Sequence, residues 1–213
     1  MKPSLKDHKV RFTTESEIRA AAIRFRLLTG SLGRPDFNIS DCVRFLTRND
    51  LYGWGKLELN YIDSTGWPTA YVVLGSKRSL NIQYEVWREA DEGIPQARFI
   101  VAHEVGHLVL HDHYAQQFSG EKSKWISFDE ESGEWQANKF AEHVLILEDD
   151  VHNYVTPLSI SIHCAVEYEV AKRRLGKSFK YSGECCQECG NFSLVRKCEW
   201  VKCDTCGWTV GYV

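Results

Sequence analysis

Apolar residues in this chain recur with two different periods. From Thr14 to Leu28 the spacing is helical, with Ile18, Ala21, Ala22, Phe25 and Leu28 on one stripe, Thr14-x-x-Glu17 as a capping box and Gly30 as the stop. A second, short helix is predicted over Ser40 to Arg48, where Cys42, Val43, Phe45 and Leu46 are apolar. Between Lys56 and Glu85 the period shortens: Leu57-Glu58-Leu59-Asn60-Tyr61 alternates, Gly66-Trp67-Pro68 marks a turn, and Ala70-Tyr71-Val72-Val73-Leu74 is rich in β-formers. Three strands in an antiparallel sheet are expected there. Helices are predicted again over Ile94 to Leu110, over Gly133 to Leu147 with Ala137, Phe140, Ala141, Val144 and Leu145 as the core stripe, and over Ser161 to Leu175. Periodicity stops between Gly176 and Gly183, the expected linker, and a cysteine-rich segment follows. Two domains are expected, over 1–176 and 177–213.

A chain of 213 residues that is 43% hydrophobic can bury a real core. Its net charge of −3 gives no global attraction to nucleic acid or an anionic membrane. No apolar run approaches the ~20 residues that span a bilayer, and no apolar leader follows Met1-Lys2-Pro3, so a cytoplasmic protein is expected. Cys42 and Cys164 stand alone, while Cys185, Cys186, Cys189, Cys198, Cys203 and Cys206 crowd together. That clustering points to metal in a reducing compartment rather than a disulfide framework.

The apolar helix after Ile94 carries His103-Glu104-Val105-Gly106-His107. Residues four apart on a helix share a face about 6 Å apart along the axis, so two imidazoles can converge on one zinc ion. Glu104, beside the first ligand, can reach a zinc-activated water, accept its proton and return it to a leaving amine. Phe99-Ile100-Val101-Ala102 and Leu108-Val109-Leu110 flank the motif with core residues, where unpaired polar groups would be costly.

His113 and Glu134 compete for the third protein ligand. His113 has the spacing of the metzincin pattern HExxHxxGxxH, but Leu110 stands where Gly is needed and the chain's sole methionine is Met1, so the Met-turn is missing. His111 lies about 12 Å of helical rise from His103, too far to share its ion. Glu134 opens the next predicted helix, and Asn138 shares its face; the pair resembles the gluzincin Glu-x-x-x-Asp, in which the second residue hydrogen-bonds a ligand histidine.

In the C-terminal segment, Cys186-x-x-Cys189-Gly190 and Cys203-x-x-Cys206-Gly207 form two knuckle pairs that supply four thiolates to a structural zinc ion, with Phe192 to Val195 as a strand of a zinc ribbon. Cys185 competes with Cys186 as ligand, and Cys198 is surplus. The module's Arg196, Lys197 and Lys202 are outweighed by Glu184, Glu188, Glu199 and Asp204, so direct nucleic-acid binding is not expected. Trp200, Trp208 and Tyr212 either contact a protein or fill the module's own core.

Arg98 to His111, followed by Glu134-x-x-Ala137-Asn138-x-Phe140-Ala141 and by Ile160-Ser161 and Arg174-Leu175, resembles the ImmA/IrrE metallopeptidases over roughly Ser40 to Leu175. Leu147 stands where that family usually has Pro, and His143 where Glu is common. The resemblance implies an α+β fold: a helical zincin-like metallopeptidase domain with a small antiparallel sheet, here joined to a zinc ribbon. It also implies a zinc endopeptidase with a narrow protein substrate, a helix-turn-helix repressor that it cleaves or inactivates, commonly on mobile elements. A non-catalytic, zinc-stabilised binding protein or toxin-antitoxin component acting by sequestration is the alternative; retention of Glu104 favours the enzyme. Tyr154, His143 and His163 are candidates to stabilise the oxyanion.

Overall fold

Helix α1 (Glu15–Leu28) starts as its sequence dictates: Thr14 Oγ1 accepts from the Glu17 N–H at 3.3 Å, and the Glu17 carboxylate accepts from the Thr14 N–H at 2.8 Å. It buries Ile18, Ala22 and Phe25. Helix α2 (Ile39–Arg48) is capped by Asn38, whose side chain accepts from the Ser40 N–H at 2.8 Å. The computed structural model describes residues 7–34, 37–63, 68–111, 126–154, 156–176, 184–191, 194–197, 200–203 and 205–211. The expected turn at Gly66 and Trp67, His113, the linker over 177–183, Phe192, Ser193, Cys198 and Tyr212 lie outside them. Packing divides the chain into Met1–Leu145 and Ile146–Val213, upstream of the Gly176 boundary at which periodicity stops.

In the first unit, strands β1 (Glu58–Ile62), β2 (Ala70–Val73) and β3 (Ser79–Gln83) form a sheet in the order β1-β3-β2. β2 pairs with β3 antiparallel, but β1 pairs with β3 in parallel, so the sheet is mixed and not wholly antiparallel as expected. Burial explains which strand is central. β3 has Leu80 and Ile82 fully covered and Ser79 and Asn81 nearly so, and a strand buried on both faces takes the centre. The polar Asn81 is satisfied there by Asn60 Nδ2 at 3.2 Å and by donation to Ser79 Oγ at 3.0 Å.

Helix α3 (Tyr84–Asp91), absent from the sequence expectation, follows β3 directly and buries Trp87 and Ala90. Helix α4 (Pro95–Leu110) has Pro95 in its first turn and buries Ala97, Val101, Ala102, Val105 and Leu108. Helix α5 (Gly133–Leu145) packs along α4 and α1 and buries Phe140, Ala141 and Val144. Ser132 Oγ caps it by accepting from the Trp135 N–H at 2.9 Å. An N-terminal strap holds this start. Val10 and Thr13 N–H groups donate to Glu131 O and Glu130 O, Gly133 N–H donates to His8 O, and Asp7 accepts from Ser132 Oγ at 2.6 Å and Glu134 N–H at 3.2 Å.

In the second unit come α6 (Glu148–Asn153), α7 (Pro157–Cys164) and α8 (Tyr168–Leu175). The single helix expected over Ser161 to Leu175 is therefore two. Ala165 adopts φ 48°, the Val166 N–H returns to Ser161 O at 3.1 Å, and Ser161 Oγ donates to Val166 O at 2.6 Å, which terminates α7. Strands β4 (Leu194–Lys197), β5 (Trp200–Cys203) and β6 (Thr209–Gly211) form an antiparallel sheet in chain order. Its core is Cys186, Leu194, Val201 and Cys203, with Cys189 and Trp208 packed against it, so Trp208 serves the module's interior. Among the described residues no helix is long and apolar enough to cross a membrane.

Candidate metal centre

Two helices build the centre. His103 and His107 project from one face of α4, and Glu134 stands in the first turn of α5. Their donor atoms converge: His103 Nε2 to His107 Nε2 is 3.1 Å, His103 Nε2 to Glu134 Oε2 is 3.3 Å, and His107 Nε2 to Glu134 Oε1 is 3.4 Å. A tetrahedral zinc ion ~2.0–2.1 Å from each donor would separate them by ~3.3 Å, so the spacing fits that metal. Gly106 makes the convergence sterically accessible, because a Cβ there would lie 3.0 Å from Ala137 Cα and 3.1 Å from Ala137 O.

Each imidazole is oriented from behind. His103 Nδ1 lies 3.0 Å from Asn138 Oδ1, which accepts its hydrogen and leaves the Nε2 lone pair to the centre. His107 Nδ1 lies 3.1 Å from His111 Nδ1, and His111 Nε2 lies 3.2 Å from Gln136 Oε1. His8 from the N-terminal strap stacks over His107 at 6.2 Å and meets His111 edge-on at 6.0 Å; Gly133 gives it room, since a Cβ there would sit 3.0 Å from the His8 ring.

Electrostatics match a site built for a cation. Burial pushes the Glu104 carboxyl up to about 7, with Glu134 adding and His103 opposing. Burial also acts to raise Glu134, but the His103 and His107 rings facing its oxygens outweigh it and hold the group well below the usual carboxylate range. Burial lowers His107 and, with His107 beside it, takes His111 down to about 3. His103 is raised on balance because Glu134, Glu104 and Asn138 overcome its burial. Two imidazoles and one carboxylate are a donor set suited to a divalent ion of zinc's hardness.

The ribbon makes a second cluster, with the four sulfurs of Cys186, Cys189, Cys203 and Cys206 all within 4.8 Å of one another. Cys186 to Cys206 is 3.7 Å and Cys189 to Cys203 is 3.5 Å, against ~3.8 Å for thiolates on a tetrahedral zinc ion. Gly190 and Gly207 take positive φ, and their N–H groups donate to Cys186 O and Cys203 O, so the knuckles share one geometry. Cys185 is outside the cluster, its thiol directed to Gly190 O at 3.1 Å.

Thus the metal-ligand candidates of each expected set come together, and Glu104 sits buried in the field of His103 and Glu134. Of the oxyanion candidates, His143 pairs with Glu15 at 3.1 Å, about 13 Å of helical rise from Glu134. Tyr154 and His163 stack on each other within the second unit. His8, His111 and Gln136 also border the centre, and in the sequence only the His107–His111 spacing of four, one face of a helix, signals a link.

An HExxH helix completed by a carboxylate from the next helix defines a metallopeptidase-like centre. Residues 83–177 match the family model described as IrrE N-terminal-like domain, Peptidase_M78, a match that includes the HExxH helix and Glu134 and agrees with the ImmA/IrrE resemblance of their motifs. Separately, 46 residues are 50% identical to part of the vitamin B12-dependent ribonucleotide reductase of Bradyrhizobium diazoefficiens, covering 22% of this chain. The chain spans only 4% of that protein's length.

Proposed function

We propose that the protein is a cytoplasmic, zinc-dependent endopeptidase that cleaves or inactivates a helix-turn-helix repressor. In this reading His103, His107 and Glu134 hold a catalytic zinc, and Cys186, Cys189, Cys203 and Cys206 hold a structural one. The peptidase domain covers 1–176 and the ribbon module 177–213. The observation that carries the reading is the contrast between the clusters. Four thiolates close a tetrahedron, whereas three donors leave a position open, with the buried carboxyl of Glu104 nearby.

Zinc, when bound, supplies Lewis acidity that makes water nucleophilic near neutral pH. Glu104 accepts a proton from the attacking water and passes it to the departing amine nitrogen. Its raised pKa in the metal-free site places it near the range where both transfers are feasible, and a divalent ion would draw it lower. Asn138 and Glu134, one turn apart on α5, fix the ligand histidine and the third donor together.

The test is incubation of the purified protein with candidate repressors, with and without chelator. The parent should cleave, Glu104→Gln should keep both metals but not cleave, and Glu134→Ala should lose one metal. Equal cleavage by Glu104→Gln would overturn the mechanism; repressor inactivation without cleavage would favour sequestration.

A further inference from the structure

The hydrogen bonds behind His107 run in a single direction. Gln136 is 1% exposed, and its side-chain nitrogen lies 2.7 Å from Arg11 O and 2.6 Å from Glu130 O. Main-chain carbonyls only accept, so the amide nitrogen must face them and Oε1 must face His111. Oε1 is 3.2 Å from His111 Nε2, which therefore carries the hydrogen. The neutral His111 ring then has its lone pair at Nδ1, 3.1 Å from His107 Nδ1. His107 must donate from Nδ1, so the neutral ring, the form that ligates a metal, has its lone pair at Nε2, the atom facing His103 and Glu134.

The reverse assignment fails. It would set the His111 Nε2 lone pair against Gln136 Oε1, two acceptors in contact at a site where both residues are buried.

We infer that His111 and Gln136 are positioning residues that lock His107 in the Nδ1–H tautomer with its Nε2 lone pair presented to the metal. This rests on the metal-centre reading above. The lock begins at two main-chain carbonyls, one on the N-terminal strap and one in the turn before α5, so it ties the orientation of a metal ligand to the seating of both segments. It is the longer counterpart of the direct Asn138 bond to His103.

The experiment is zinc competition against a chelating dye on the full chain, with the relevant step identified as the one missing from Glu134→Ala. His111→Leu and Gln136→Met should weaken that step by about 10–100-fold, the scale of losing a ligand's outer partner. His111→Asn, whose Oδ1 can stand where ring Nδ1 stood, should stay within about threefold of the parent. If parent and Glu134→Ala bind alike, the metal-centre reading itself fails. If Glu134→Ala loses the step while His111→Leu binds as the parent does, or if Asn and Leu fall equally, only the tautomer lock is overturned. Nitrogen-15 NMR of the zinc-loaded parent needs no variant: it should show hydrogen on His107 Nδ1 and His111 Nε2, and hydrogen on His111 Nδ1 would overturn the proposal.

Discussion

Gly106 lies directly on Ala137: a Cβ built on the glycine would stand 3.0 Å from Ala137 Cα and 3.2 Å from Phe140 Cβ. These contacts are backbone and core, so neither yields without moving α5, and Glu134 sits one turn before Ala137. Gly106→Ala gains up to about 1 kcal/mol of helix propensity but loses about 1–3 kcal/mol to overpacking. The expected outcome is a modest net loss of stability with weaker zinc binding, measured by urea unfolding and metal competition. A variant that binds zinc as tightly as the parent would show that the helix contact does not set the Glu134 position.

Local patterns reached as far as local causes do. His103, Glu104 and His107 are legible because one helical turn brings them together, and Glu134 with Asn138 because spacing of four puts both on one face. The role of His111 behind His107 is not legible, since its partner Gln136 lies on another helix and nothing in either segment announces the other. The parallel pairing of β1 with β3 was hidden for a similar reason: alternation reveals a strand but not its neighbour. Helix α3 follows β3 directly at Gln83-Tyr84 with no Gly or Pro at the junction, and α7 ends on an alanine where a glycine would have marked the stop.

Glu104 should make the metal-free protein less stable as pH rises. An acid whose folded pKa is raised holds its proton more tightly folded than unfolded, so its contribution is present below the unfolded value near 4.5 and is lost as pH rises toward about 7. Glu104→Gln lacks this loss. In chelator, the stability advantage of the variant over the parent should grow across that window to about 3 kcal/mol. Urea unfolding at several pH values measures the difference, in which shared titrations cancel. A constant difference would show that Glu104 is not buried in solution as it is in the structure.

Ala165 is the non-glycine residue with positive φ among those described, at 48°. An L-residue pays about 1–2 kcal/mol for the left-handed region, while glycine adds about 0.4–1 kcal/mol of unfolded-chain entropy. Ala165→Gly should therefore stabilise the protein by up to about 1 kcal/mol, seen as a higher urea midpoint with an unchanged slope. Ala165→Val should destabilise it, because a β-branched side chain tolerates that conformation worse.

Cys203 and Cys185 separate a proposed metal ligand from a bystander in the same module. Cys203 is fully buried, lies 3.5 Å from Cys189 and belongs to the ribbon core, whereas the exposed Cys185 directs its thiol to a main-chain carbonyl. Among the described residues the core is four residues with two neighbours packed on it, and a segment of roughly thirty residues buries too little apolar surface to offset its ordering, so metal binding has to supply much of its folding free energy. Cys203→Ser should lower zinc content from two ions per chain to one and abolish amide protection across β4 to β6. Cys185→Ser should leave both unchanged. Because the His103, His107 and Glu134 cluster shares no ligand with the ribbon, the remaining ion in Cys203→Ser should be the one that Glu134→Ala removes. Metal analysis of the single and double variants decides it: additive losses to one, one and none support two independent sites. Retention of two ions by Cys203→Ser would refute the four-cysteine assignment.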